Sequence, residues 1–183
     1  MQKMILSLDS AGLPHAWVSI EEAMTYHAKN LVIWSLGEDT SVYLGGLQRN
    51  GTRSRLETKS IIAIRGSKVD ARSFSRTPVL TNDLLFARDR HLCAYCGERF
   101  AAPKLSRDHI MPASKGGSDQ WTNVVTACRS CNSRKADRTP QQSGMALLYV
   151  PYTPNRHEHF ILRNRHILTD QMKFLLGSVP ATS

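Results

Sequence analysis

The residues with the most chemistry to offer crowd into the stretch from Cys93 to Lys135. All four cysteines fall there, as Cys93-Ala94-Tyr95-Cys96 and Cys128-Arg129-Ser130-Cys131. Two Cys-x-x-Cys pairs supply four thiolates, a set that closes a zinc tetrahedron and leaves no coordination position for water. A metal enclosed that way is structural, so the polar residues between and after the pairs need a separate task. Asp108-His109 supplies a carboxylate and an imidazole, while Asn123 and Asn132 supply amides. Oxygen donors suit a hard divalent cation, and an imidazole can take a proton from a nearby water at neutral pH.

The remaining composition points to a polyanionic partner. The 183 residues suit one compact domain or two small ones, and 24 Lys and Arg against 15 Asp and Glu give a formal charge of +9. Such an excess favours nucleic acid first and an anionic membrane surface second. From Arg49 to Arg76 the imbalance is strongest, with Arg49, Arg53, Arg55, Lys59, Arg65, Lys68, Arg72 and Arg76 opposed only by Glu57 and Asp70. Serines and glycines are interleaved, as in Gly51-Thr52-Arg53-Ser54-Arg55. Small hydroxyl residues beside cations suit phosphate contacts, which makes Arg53 and Arg55 candidates for nucleic-acid binding. No run is long and apolar enough to span a bilayer, because Met4-Ile5-Leu6-Ser7-Leu8 is broken by Asp9. A cytoplasmic location is the expectation, and a reducing compartment makes metal binding rather than disulfide formation the reading of the cysteines.

The elements that must position these groups follow from pattern. Lys3–Leu8 reads as a strand running into the turn formers Asp9–Pro14, and Ser19-Ile20-Glu21-Glu22 as a capping box opening a helix. The β-branched and aromatic runs Leu31–Trp34, Val42–Leu44 and Ile61–Ile64 read as further strands. Thr81 or Asn82 can cap a helix through Arg90 that leads into the first cysteine pair. Thr139-Pro140-Gln141-Gln142 opens a short helix ending near Gly144, and Tyr149–Pro154 is a stiff extended connector. Thr169–Leu176 reads as an amphipathic helix with Met172, Leu175 and Leu176 inward and Gly177 ending it. His15, His27, His157, His159 and His166 lack partners at ligand spacing, and His91, beside the first cysteine pair, is left out because four thiolates already complete the zinc shell.

Asp108-His109-Ile110-x-Pro112, Gly116-Gly117, Trp121-x-Asn123 and Cys128-x-x-Cys131-Asn132-x-x-Lys135 resemble the HNH endonucleases, in particular bacterial and phage members with two Cys-x-x-Cys zinc pairs. The resemblance implies a metal site built on two β-strands and a helix. Together with the patterns above it gives an α+β chain in four parts. These are a small mixed α/β N-terminal unit over 1–68, a linker over 69–80, a zinc-stabilised ββα-metal module over 81–145, and a C-terminal extension with a terminal helix over 146–183.

The resemblance also implies roles. His109 would be the general base, Asp108 and Asn132 the protein ligands of a catalytic Mg²⁺ or Mn²⁺, and Asn123 the residue that holds the loop orienting His109. Family members often carry histidine at the place of Asn132, sometimes with another four residues on, where this chain has Ala136. The oxygen-rich set disfavours a softer catalytic metal. Arg107, Lys115, Arg129, Arg134 and Lys135 are the candidates for contacts with the nucleic-acid backbone, and the implied products carry 5′-phosphate and 3′-hydroxyl ends. Neighbouring side chains on a regular strand point to opposite faces, so Asp108 and His109 meet at one point only through a local twist or a phosphate gripped between them. The expected activity is metal-dependent hydrolysis of DNA phosphodiesters. A catalytically inactive zinc-dependent DNA-binding or scaffold protein, and a nuclease of RNA or structured nucleic acid, are the alternatives. The oligomeric state, a dimer included, stays open.

Overall fold

The computed structural model describes residues 3–47, 49, 51–66, 77–164 and 166–177. The chain divides into two compact units, one of Met1–Arg76 with Arg163–Ser183 and one of Thr77–Leu162. Of the expected linker, 69–76 lie outside the described residues, as do Lys68, Asp70, Arg72 and Arg76 of the basic run.

The first unit is built on β1 (Ile5–Leu8), β2 (Pro14–Val18), α1 (Ile20–Ala28), β3 (Val32–Leu47) and β4 (Arg53–Ile64). They form one sheet in the order β2-β1-β4-β3, parallel between β1 and β4 and antiparallel elsewhere. Asp9 Oδ1 accepts from the amides of Ala11 and Leu13, both at 2.9 Å, which closes the turn early and lets Pro14 begin a strand rather than end a loop. Ser19 and Glu22 form the expected capping box on α1. Ile5, Val18, Ala23, Ile62 and Ile64 make one core cluster. Leu6, Leu8, Ile61 and Ala63, on the other strand parity, are fully buried too, so the central strands are covered on both faces.

One sequence expectation changes here. The runs expected as two strands, Leu31–Trp34 and Val42–Leu44, fall on one, Val32–Leu47, joined through a register shift between Leu36 and Thr40. The basic stretch from Arg53 to Lys59 is strand, and alternation puts Arg53, Arg55 and Glu57 on an exposed face. Thr40–Leu47 pairs with Arg53–Lys59, whereas β1 reaches β4 only at Ile61–Ala63, so the distal half is a two-stranded ribbon.

The second unit begins with α2 (Asn82–Arg88), capped by Thr81 through the amide of Leu84. Next come β5 (Leu105–His109) and β6 (Val124–Cys128), paired antiparallel, and then α3 (Arg129–Lys135), α4 (Pro140–Ser143) and α5 (Arg156–Arg163). Leu85, Phe86, Leu105, Trp121 and Val124 form its main cluster. Beneath them Arg88 is buried but fully partnered. Its Nε donates to Asp89 Oδ1 at 2.7 Å, and its two amino groups donate to the carbonyls of Trp121, Tyr152 and Val124. Asp89 in turn accepts from the Thr126 amide at 2.8 Å, which ties α2 to β6. α5 was not expected from the sequence, although Asn155 and Glu158 cap each other's amides there in the capping-box manner.

The last helix, α6 (Thr169–Gly177), packs on β3 and β4 of the first unit. Its inward residues are Leu175 and, unexpectedly, Gln171, while Leu176 is 57% exposed and Gly177 is still helical. Gln171 takes the inward place because its Nε2 donates to the carbonyls of Met4 (2.9 Å) and Ser60 (2.8 Å), which gives its buried amide two acceptors. Among the described residues, no helix is long and apolar enough to cross a membrane.

Candidate active site

The two cysteine pairs meet in space. The ligand atoms of Cys93, Cys96, Cys128 and Cys131 all lie within 4.8 Å of one another. Tetrahedral zinc with sulfur at ~2.3 Å sets sulfur–sulfur separations of about 3.8 Å, so the set fits one such ion. The first pair sits on a tight turn closed by Gly97 N to Cys93 O (2.9 Å) and is clipped to β6 by Ala94 N to Thr126 O (2.8 Å). The second pair straddles the start of α3, where Cys128 Sγ caps the Cys131 amide. Burial pushes the Cys131 thiol up to about 12. Burial also raises Cys93, but hydrogen bonds from the amides of Cys96, Cys128 and Tyr95 outweigh it and bring that thiol down to about 7. Ion binding there would expel the remaining protons.

Asp108 lies on the inner side of β5 and is 5% exposed. The Tyr95 hydroxyl donates to its Oδ2 at 2.5 Å, and Lys135 Nζ donates to its Oδ1 at 2.9 Å. Burial, then the Asp108 carboxylate, raises the Tyr95 phenol far above its ordinary value, so it stays a neutral donor. Lys135 also donates to the His109 carbonyl at 2.7 Å. One turn earlier on α3, Asn132 Nδ2 donates to Ser106 Oγ at 2.9 Å and approaches the Arg107 carbonyl. With its amide nitrogen held by β5, Asn132 keeps its oxygen as the free donor atom. Asp108 on β5 and Asn132 on α3 thus each carry side-chain oxygen, the donor type that suits a hard cation, and both Asp108 oxygens are engaged by Tyr95 and Lys135.

His109 points the other way, as strand alternation requires. Its Nε2 is 3.2 Å from Asp119 Oδ1, and the Arg107 guanidinium, two residues back on the same face, also bonds Asp119. That guanidinium, and secondarily the imidazole, holds the Asp119 carboxyl below its usual range. The loop after His109 is cross-braced by Asn123. Its Oδ1 accepts from Met111 N at 2.9 Å, and its Nδ2 donates to the carbonyls of Met111 (3.1 Å) and Ser118 (2.9 Å). Only glycine fits at 117, where a Cβ would stand 1.8 Å from the Met111 carbonyl oxygen.

A two-stranded antiparallel pair followed by a helix, with a cysteine quartet at its base, is now in place. Residues 93–148 match the family model of the HNH endonucleases. No curated protein matches the chain. The HNH module spans the cysteine quartet, β5, β6, α3 and α4, and an HNH nuclease module implies a nucleic acid as substrate.

The candidate cations of the HNH module fall into two groups. Arg129 and Arg134 are exposed, and Lys115, also exposed, bonds Gln142. Arg107 is engaged with Asp119 and Asn82, and Lys135 is wholly buried against Asp108, which removes it from contact with a nucleic-acid backbone. Tyr95 and Asp119 escaped sequence reading. The signals were present as a hydroxyl between two metal-ligand cysteines and a single carboxylate in the Gly116–Gln120 loop.

Proposed function

We propose that this chain is a metal-dependent endonuclease that hydrolyses DNA phosphodiester bonds with His109 as general base. The observation that carries the reading is the His109–Asp119 contact at the end of β5. A carboxylate kept ionised by Arg107 can accept a hydrogen bond from Nε2–H, which leaves the Nδ1 lone pair to take a proton from water. Asn123 holds the loop that carries this pair. Asp108 and Asn132 would hold a divalent cation, Mg²⁺ or Mn²⁺, which would supply charge stabilisation to the phosphate and the departing oxygen; because His109 faces the other side of β5, the phosphate would have to be gripped between the two. The cysteine quartet holds a structural zinc. Arg129 and Arg134, with Arg53 and Arg55 on the β4 face, contact phosphates and fix register without reading sequence. A net charge of +9 supports a polyanionic substrate, and a reducing cytoplasm keeps the thiols available to the metal.

The test is nicking of supercoiled plasmid by the wild type and by His109→Ala, with Mg²⁺, with Mn²⁺ and with chelator, beside single-stranded DNA and RNA. Cleavage of DNA by the wild type alone, and only with added metal, is expected. Cleavage by His109→Ala at the wild-type rate would remove the general-base assignment, and cleavage confined to RNA would replace the substrate.

A further inference from the structure

Among the described residues, Lys135 is the largest of the fully buried side chains, at 0% exposure. An ammonium keeps its charge in such a place only with a counter-ion and full hydrogen bonding. Asp108 Oδ1 at 2.9 Å is that counter-ion, and the His109 carbonyl at 2.7 Å accepts from a second N–H. Tyr95 holds the other carboxylate oxygen, so Asp108 cannot turn away from Lys135 without losing a second bond. The protein therefore offers an incoming cation one carboxylate already neutralised by one fixed ammonium, plus the uncharged amide of Asn132. The net charge of those three groups is zero.

We propose that Lys135 is the resident cation of the Asp108 site and keeps divalent-metal affinity low until a DNA phosphate supplies the missing negative charge, so that metal and substrate bind together. This rests on the reading of Asp108 as a ligand of the catalytic cation. Two positive ions sharing one carboxylate in a poorly solvated site repel each other strongly. A phosphodiester brings one negative charge and its own oxygen ligands, which offsets that repulsion. The buried stem of Lys135 cannot swing into solvent to relieve it. Metal binding without substrate is thus suppressed by a charge, not by a shortage of oxygen donors.

The experiment titrates Mn²⁺ into the zinc-loaded full chain, following free Mn²⁺ by its paramagnetic resonance, with and without a short duplex and corrected for ion held by the duplex alone. Every protein carries His109→Ala so that the duplex survives. The parent is expected to bind Mn²⁺ at least tenfold more tightly with duplex. Lys135→Gln, which keeps a donor for Asp108 but removes the charge, is expected to raise the duplex-free affinity at least tenfold and to shrink the gain from duplex. Unchanged duplex-free affinity in a Lys135→Gln protein that retains its zinc overturns the proposal and leaves Asp108 as ligand. Should that variant lose zinc, equal Mn²⁺ affinity of the parent with and without duplex overturns it instead. Duplex-dependent Mn²⁺ binding that survives Asp108→Asn overturns the ligand assignment itself.

Discussion

Gly117→Ala should disable the proposed nuclease while leaving most of the chain folded. The new Cβ would lie 1.8 Å from the Met111 carbonyl oxygen, 2.6 Å from its carbon and 3.0 Å from Asn123 Nδ2. Two of those atoms are backbone, so relief requires the chain to part by about 1 Å rather than a side chain to rotate. The part that moves is the crossing where Asn123 grips Met111 and Ser118 with three hydrogen bonds. Losing all three costs on the order of 3 kcal/mol, at about 1 kcal/mol each. The larger effect falls on rate, since His109 enters this loop two residues before Met111, and a misplacement of about 1 Å can cost about 100-fold. Plasmid nicking reads the rate, thermal unfolding the stability, and zinc content the cysteine quartet. Gly116→Ala is the control: its φ is +83° with nothing within 4 Å of a Cβ, so it meets only left-handed backbone strain of about 1 kcal/mol. A Gly117→Ala protein that nicks within threefold of wild type at an unchanged melting temperature would refute the claim that this close approach holds the loop.

Three further outcomes are expected. Cys128→Ser removes one thiolate and the sulfur that caps α3, so zinc by elemental analysis should fall below one per chain; full stoichiometry would count against the quartet. Arg88→Met strands the buried Asp89 and the carbonyls of Trp121, Tyr152 and Val124, and should cost about 3–5 kcal/mol in urea unfolding; a loss under about 1 kcal/mol would mean that the pair is not needed. Replacing Arg53 and Arg55 together with alanine should leave stability within about 0.5 kcal/mol. It should also lower the slope of log affinity against log salt by about 2, and an unchanged slope would remove the β4 face from the DNA contacts.

What could be read from the sequence depended on whether a contact is local. The capping boxes at Ser19–Glu22 and Thr139–Gln142 are both present, because each is fixed by residues three apart. The cysteine pairs converge as their spacing suggested, since each Cys-x-x-Cys is a turn that aims both sulfurs one way. Tyr95 and Asp119 were invisible because their partners, Asp108 and His109, lie 13 and 10 positions away, and only the docking of turn and loop on β5 joins them. Lys135 was a candidate for a phosphate contact; its spacing of three from Asn132 puts both on one face of α3, but nothing local shows that Asp108 waits there. The ribbon of β3 and β4 was hidden for a like reason: Arg53–Lys59 has no apolar run to mark it, and only its pairing with Thr40–Leu47 makes it strand. In α6 the apolar periodicity chose Leu176, whereas two orphan carbonyls on Met4 and Ser60 chose Gln171.

The placement of α6 also sets an order of events during synthesis. Every stretch of the Thr77–Leu162 unit is contiguous in the chain, so it can close as soon as its last residue leaves the ribosome. The sheet of β1 to β4 is translated first but lacks the helix that satisfies the Met4 and Ser60 carbonyls until residues 169–177 emerge. Joining partners more than a hundred residues apart carries a loop-closure cost that the contiguous unit never meets. The HNH module can therefore close before the unit that encloses it in sequence, and a nascent chain stalled short of α6 would carry a finished module and an unfinished sheet.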